Sequence, residues 1–139
     1  MYYNWHFLNM ELDDEYEDIT PSERGDVVIA INKCIDILES DSVSNTDKSF
    51  YLKLLVHFIG DLHQPLHIGR YQDRGANRIY VKWFGRNSNL HRVWDSEMIN
   101  SYNMSYSELA LNLPNPDFLI FKEANDFKRG DVLNWVDEI

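Results

Sequence analysis

The stretch His57-Phe58-Ile59-Gly60-Asp61-Leu62-His63-Gln64-Pro65-Leu66-His67 holds three of the chain's five histidines. Upstream, Tyr51, Leu54, Leu55, Phe58 and Leu62 recur at helical spacing, which predicts an amphipathic helix starting near Asn45 or Thr46. His57 and Asp61 are four apart. On a helix both side chains leave from one face, a turn from each other, and one metal ion can reach both. Pro65 cannot continue the helix, and Gln64 before it is pushed towards extended geometry. His67 therefore lies beyond the helix end. His63, two residues from Asp61, points elsewhere and reads as a structural histidine or one that supports the ligands.

The spacing recurs at His91-Arg92-Val93-Trp94-Asp95, on a helix expected to be capped within Asn87-Ser88-Asn89 and to run to about Asn100. Two such pairs with His67 have the composition of a zinc site, because imidazole with carboxylate suits zinc better than magnesium. On spacing alone, ordinary ion pairs on helix faces explain the two pairs equally well.

Working outward, Thr20-Pro21-Ser22-Glu23 reads as a helix start, with Thr20 as cap and Glu23 completing a capping box. The stripe Val27, Val28, Ile31, Cys34, Ile35, Leu38 follows at helical period and should end near Ser40. Cys34 on that stripe reads as a core residue, with a reactive thiol as the alternative. Glu11 to Asp18 has six acids in eight positions and reads as a solvated loop. Residues 69–77 carry loop signals, and Arg78 to Phe84 alternates like one short strand. Ser105 to Leu113 reads as a weaker helix stopped by Pro114 and Pro116, residues 117–127 as another, and Gly130-Asp131 as the start of a last one. The expected class is all-α with one short extended excursion, in a single domain over residues 1–139.

The 139 residues carry a formal charge of −10. That argues against a protein gripping nucleic acid through a basic surface, so phosphate handling here requires a metal to supply positive charge. No apolar run is long enough for a membrane span. The single cysteine excludes an intrachain disulfide and a Cys-rich zinc module. The start, MYYNWHFLNM, lacks the basic and apolar regions of a signal peptide, so the compartment cannot be read from targeting.

Read together, HFIGDLHQPLH (57–67), DRGAN (73–77) and NLHRVWD (89–95) closely resemble the S1/P1 nuclease family, in order and in spacing. The resemblance extends from about Trp5 to the end, where Trp135 and Glu138 look like the start of a further family helix. It implies a phospholipase C/P1 nuclease-like helical fold around up to three zinc ions, with at least one expected here. It implies zinc-activated water cutting single-stranded DNA or RNA to 5′-phosphorylated products, with 3′-nucleotidase activity besides. It implies that His6, His57 and Asp61 are ligands of one zinc, that Asp61 also bridges to a third and is the decisive catalytic residue, and that His67, His91 and Asp95 hold a second. Phe7 matches an aromatic on which a base stacks, and Asn9 stands where many members have a base-recognising Asp. Tyr71, Trp83 and Phe84 are further stacking candidates, each also readable as structural.

The family's amino-terminal zinc-binding Trp, the His after it and a later Asp have no counterpart in the chain as given. The resemblance therefore implies a central piece of the domain, with the third zinc short of most of its ligands, the first short of one, and weak or absent nuclease activity. Ala76 replaces the second glycine of the family's DRGGN, a mild change unless the position needs positive φ. The family association suggests a secreted or periplasmic protein. The competing readings are a zinc phospholipase C-like phosphodiesterase and a non-catalytic zinc-binding remnant.

Overall fold

The computed structural model describes residues 2–112 and 131–139. Its frame is the helix pair α1 (Val27–Glu39) and α2 (Asn45–Leu62). The start of α1 corrects the sequence reading. Thr20-Pro21-Ser22-Glu23 is loop, and Asp26 is the cap, accepting the Ile29 N–H at 2.9 Å. Between the two candidate caps lie Pro21, Ser22, Glu23, Arg24 and Gly25, which offer no apolar stripe to bury. The Gly25 N–H instead closes a turn onto the Ser22 carbonyl. The cap directly before the apolar stripe wins, because burial rather than local propensity supplies most helical stability. The other end of α1, at Ser40, falls where expected.

α2 begins after Ser44, whose side chain accepts the Asp47 N–H, and ends at Leu62. Gln64 is extended (ψ 110°), and Pro65 opens a 3-10 turn, Pro65–His67. The core forms where α1 meets α2. Val27, Val28, Ala30, Ile31 and Cys34 pack with Phe58 and Leu62, joined by Leu8 and by Val132 and Val136 of α6 (Asp131–Asp137). Burying a side chain such as Phe58 or Ile31 stabilises the fold by about 2–3 kcal/mol. Cys34 is fully buried, and burial pushes its thiol pKa up, as suits a core residue rather than a nucleophile.

Two small strand pairs complete the frame. β1 (Leu8–Asn9) runs parallel to β2 (Ile68–Gly69), which ties the amino-terminal turn Tyr3–His6 to the segment after α2. The expected single extended excursion is instead a hairpin: β3 (Tyr80–Trp83) pairs antiparallel with β4 (Arg86–Asn89). Its turn residues, Phe84 and Gly85, have φ of 45° and 79°, the left-handed pair that matches the twist of a two-residue hairpin. Of the three candidate caps, Asn87 and Ser88 lie in β4. Asn89 alone caps the next helix, accepting the Arg92 N–H at 2.7 Å.

That helix runs as α3 (Leu90–Arg92), a π-helical turn (Val93–Glu97) and α4 (Met98–Ser101), ending close to the expected Asn100. α5 (Tyr106–Leu111) starts on a Ser105–Glu108 capping box. Leu113, Pro114, Pro116, the helix expected over 117–127 and Gly130 lie outside the described residues. The acidic stretch 11–18 is mostly exposed loop, anchored where the Tyr16 hydroxyl donates to the Asp26 carboxylate. The fold is thus of the all-α class, with four short strands among the described residues. No described helix is long and apolar enough to cross a membrane.

Candidate metal centre

Four segments converge on one end of α2. The amino-terminal turn brings His6, α2 brings His57 and Asp61, the turn after α2 brings His67, and the segment after the hairpin brings His91 and Asp95. The β1–β2 pairing sets His6 beside α2, and Pro65 turns the chain so that His67 returns towards Asp61.

His6, His57 and Asp61 form a tight triangle. His6 Nδ1 lies 2.8 Å from Asp61 Oδ2, His57 Nε2 lies 3.2 Å from the same oxygen, and the two ring nitrogens are 3.1 Å apart. A tetrahedral ion with bonds of 2.0–2.1 Å places its ligand atoms about 3.3 Å apart. A ring proton satisfies one of these contacts at a time, whereas one divalent cation satisfies all three.

His67, His91 and Asp95 form the second group, and one ligand atom from each lies within 4.8 Å of the others. The two imidazoles stack at 5.1 Å and 8°. His67 Nε2 is 3.2 Å from Asp95 Oδ1. His91 Nδ1 lies 2.8 Å from the Gly75 carbonyl, an acceptor, so the proton sits on Nδ1 and the Nε2 lone pair is free for a ligand bond. His67 is buried, and burial lowers its pKa, with His91 adding in the same direction; the carboxylates of Asp61 and Asp95 oppose the shift without overcoming it. His67 is therefore neutral at pH 7 and can bind a metal without releasing a proton.

His67 also links the groups. Its Nδ1 faces Asp61 Oδ1 at 3.4 Å but makes no hydrogen bond, leaving a buried polar atom unsatisfied. Such an orphan costs about 1–3 kcal/mol. Asp61 thus turns one oxygen to each group. Shared ligand types, ligand-scale spacing and an unsatisfied buried imidazole nitrogen together fit divalent metal ions of the zinc kind.

Phe7 and Asn9 sit on one side of an extended segment next to His6, with Leu8 buried on the other. His63 stays out of both groups; its Nδ1 donates to the Ile59 carbonyl at 2.7 Å, and its ring rests against Trp135. Tyr71, Trp83 and Phe84 also lie outside the groups, on the loop and the hairpin.

Sequence reading missed the backbone around Gly75. Gly75 and Ala76 have φ of 57° and 62°, and a Cβ on Gly75 would collide with the Leu66 carbonyl. Ala76 is therefore not the mild replacement expected if the position tolerated any φ: it is buried and left-handed, at a cost of about 1 kcal/mol. The glycine in DRGAN was the available signal, because a glycine beside two chemistry-bearing segments marks close backbone approach.

Fold and site define a mostly helical protein carrying two His/His/Asp groups able to hold metal ions. The chain belongs to the S1/P1 nuclease family, whose profile matches residues 1–138. It is 52% identical over 86 residues to Endonuclease 1 of Arabidopsis thaliana, covering 62% of this chain and 28% of that protein. It is 45% identical over 74 residues to Endonuclease 4 of the same plant, covering 53% and 25%. With Nuclease S1 of Aspergillus oryzae it shares 38% identity over 80 residues, covering 58% and 27%. The chain spans about a quarter of the length of these curated relatives.

Proposed function

We propose that this chain acts in zinc-dependent hydrolysis of phosphodiester bonds in single-stranded DNA or RNA, giving 5′-phosphorylated products, with mononucleotide 3′-phosphates as further substrates. His6, His57 and Asp61 would hold one zinc, and His67, His91 and Asp95 another. Bound zinc supplies Lewis-acid activation of water near neutral pH and positive charge for phosphate oxygens. The chain's own residues set up that chemistry. Asp61 keeps the two groups in register by presenting one oxygen to each. The Gly75 carbonyl holds the His91 tautomer, and burial keeps His67 unprotonated. Phe7 offers a ring face for an unstacked base and Asn9 an amide for its edge, which favours single strands over duplex.

The single observation that carries this reading is the convergence of two His/His/Asp groups on the two oxygens of Asp61. The names of the relatives, nucleases and endonucleases, support the substrate class. The test is a fluorescent single-stranded oligonucleotide incubated with the chain, with zinc added or with chelator. The expected result is cleavage that chelator abolishes and that Asp61→Asn lowers by about 100-fold or more. Cleavage indifferent to chelator and to Asp61→Asn would overturn the proposal.

A further inference from the structure

Residues 70–92 carry six lysines and arginines against the single acid Asp73, whereas the rest of the chain carries seven against twenty-two. Arg70, Arg74, Arg78, Lys82, Arg86 and Arg92 are all exposed. The whole-chain charge of −10 therefore hides a basic segment, and the sequence argument against a basic nucleic-acid surface does not hold locally. Arg70 pairs with Asp73, Arg92 with Glu97, and Arg78 donates to the Gln72 carbonyl. Among the described residues no salt bridge engages Arg74, Lys82 or Arg86.

The hairpin is the centre of this segment, and its two faces differ. The register pairs Tyr80 with Asn89 and Lys82 with Asn87, which places these four side chains on one face. Val81, Trp83, Arg86 and Ser88 share the other face, where all but Arg86 are half-buried. Tyr80 is 84% exposed, and Phe84 at the turn is 83% exposed. A half-buried strand ordinarily turns its rings inward and its polar groups outward. Here a ring stands outward beside a cation, with side-chain amides on the same face. β4 then leads straight into the helix that holds His91, on the order of 10 Å from Asn87 along the chain.

We propose that the Tyr80–Lys82–Asn87 face of the hairpin docks single-stranded nucleic acid, holding a nucleotide next to the one at the metal centre. A base stacks on Tyr80, a backbone phosphate meets Lys82, and the Asn87 amide meets a base edge. Stacking rings interleaved with cations grip single strands without needing sequence, because every base has a face and every linkage a charge. The amides beside the ring favour this occupant over a lipid surface, which needs apolar side chains in that position. The inference rests on the proposed hydrolysis of single strands, and it adds the surface that aligns the strand.

The test is fluorescence anisotropy of a short oligothymidylate with hydrolysis-resistant phosphorothioate linkages, across a salt series. Lys82→Glu is expected to weaken binding about 5-fold and to flatten the salt slope by about 0.7, the share of one phosphate contact on a single strand. Tyr80→Ala is expected to weaken binding about 10-fold, and Tyr80→Phe, which keeps the ring, to restore it. Unchanged zinc content and thermal midpoint in these variants would place the loss at the hairpin and not in the metal groups. Wild-type affinity and slope in Lys82→Glu and in Tyr80→Ala would overturn the proposal, as would binding to phosphatidylserine vesicles with none to the oligonucleotide. A zinc-free chain whose oligonucleotide binding still depended on Tyr80 would overturn the metal reading and uphold the docking face.

Discussion

Asp61 shows how much one side chain is asked to do. Its Oδ2 is the shared neighbour of His6 and His57, and its Oδ1 faces His67. Asp61→Asn keeps the shape but turns an N–H donor towards imidazole nitrogens on one side or the other. The expected outcome is zinc lost from the His6–His57 group, read by elemental analysis, with the thermal midpoint of the metal-free protein little changed. Gly75 is the backbone counterpart. Gly75→Ala drives a Cβ into the Leu66 carbonyl at a left-handed position, and any relief moves the oxygen that holds His91. A loss of about 2 kcal/mol or more in denaturant unfolding is expected, together with weaker zinc retention. The His57–Asp61 spacing was legible because a helix repeats. The Gly75 conformation was not, since a glycine in a loop announces freedom of φ without saying which carbonyl it must pass.

At the scale of elements, the start of α1 carries its own pH signature. Burial is the largest influence on Asp26 and raises its pKa, although the cap bonds to Ile29 and Val28 and the Tyr16 hydroxyl pull it down. A carboxyl with a raised pKa binds more protons in the fold than in the open chain. Stability therefore falls as pH rises from the ordinary aspartate value of about 4 through the raised folded value. Asp26→Asn keeps a good cap and removes the buried charge. It is expected to be at least as stable as wild type at pH 7, with any advantage vanishing below about pH 4, where the wild-type carboxyl is already neutral. Asp26→Ala loses the cap and is expected to cost about 1 kcal/mol at both pH values, by thermal melts. The helices were readable because caps and apolar stripes are local. β4 was not, because Arg86-Asn87-Ser88-Asn89 is polar throughout and leaves no alternation to read. The π-helical turn at Val93–Glu97 was also invisible: the Met98 N–H reaches the Val93 carbonyl five residues back, and nothing in the side chains marks the extra residue.

For the whole molecule, the site exists only because distant segments meet. Leu8 pairs with Ile68 across most of the first half of the chain, and no periodicity encodes that contact. The motif resemblance supplied the grouping that spacing could not, and the groups it implied are those the fold brings together. Charge is likewise a property of the whole that misleads about the part, since residues 70–92 hold six of the thirteen lysines and arginines and only one of the twenty-three acids. The two His/His/Asp groups can be tested together by counting zinc. The measurement is elemental analysis of the wild-type chain and of His91→Ala, purified without chelator, at pH 7 and again well below the ordinary histidine value of about 6.5. At pH 7 at least one zinc per wild-type chain is expected, one fewer in His91→Ala, and release at the lower pH as the imidazoles take up protons. A wild-type chain that holds no zinc at pH 7 even after zinc is supplied, or one that keeps it unchanged in His91→Ala, would contradict the account.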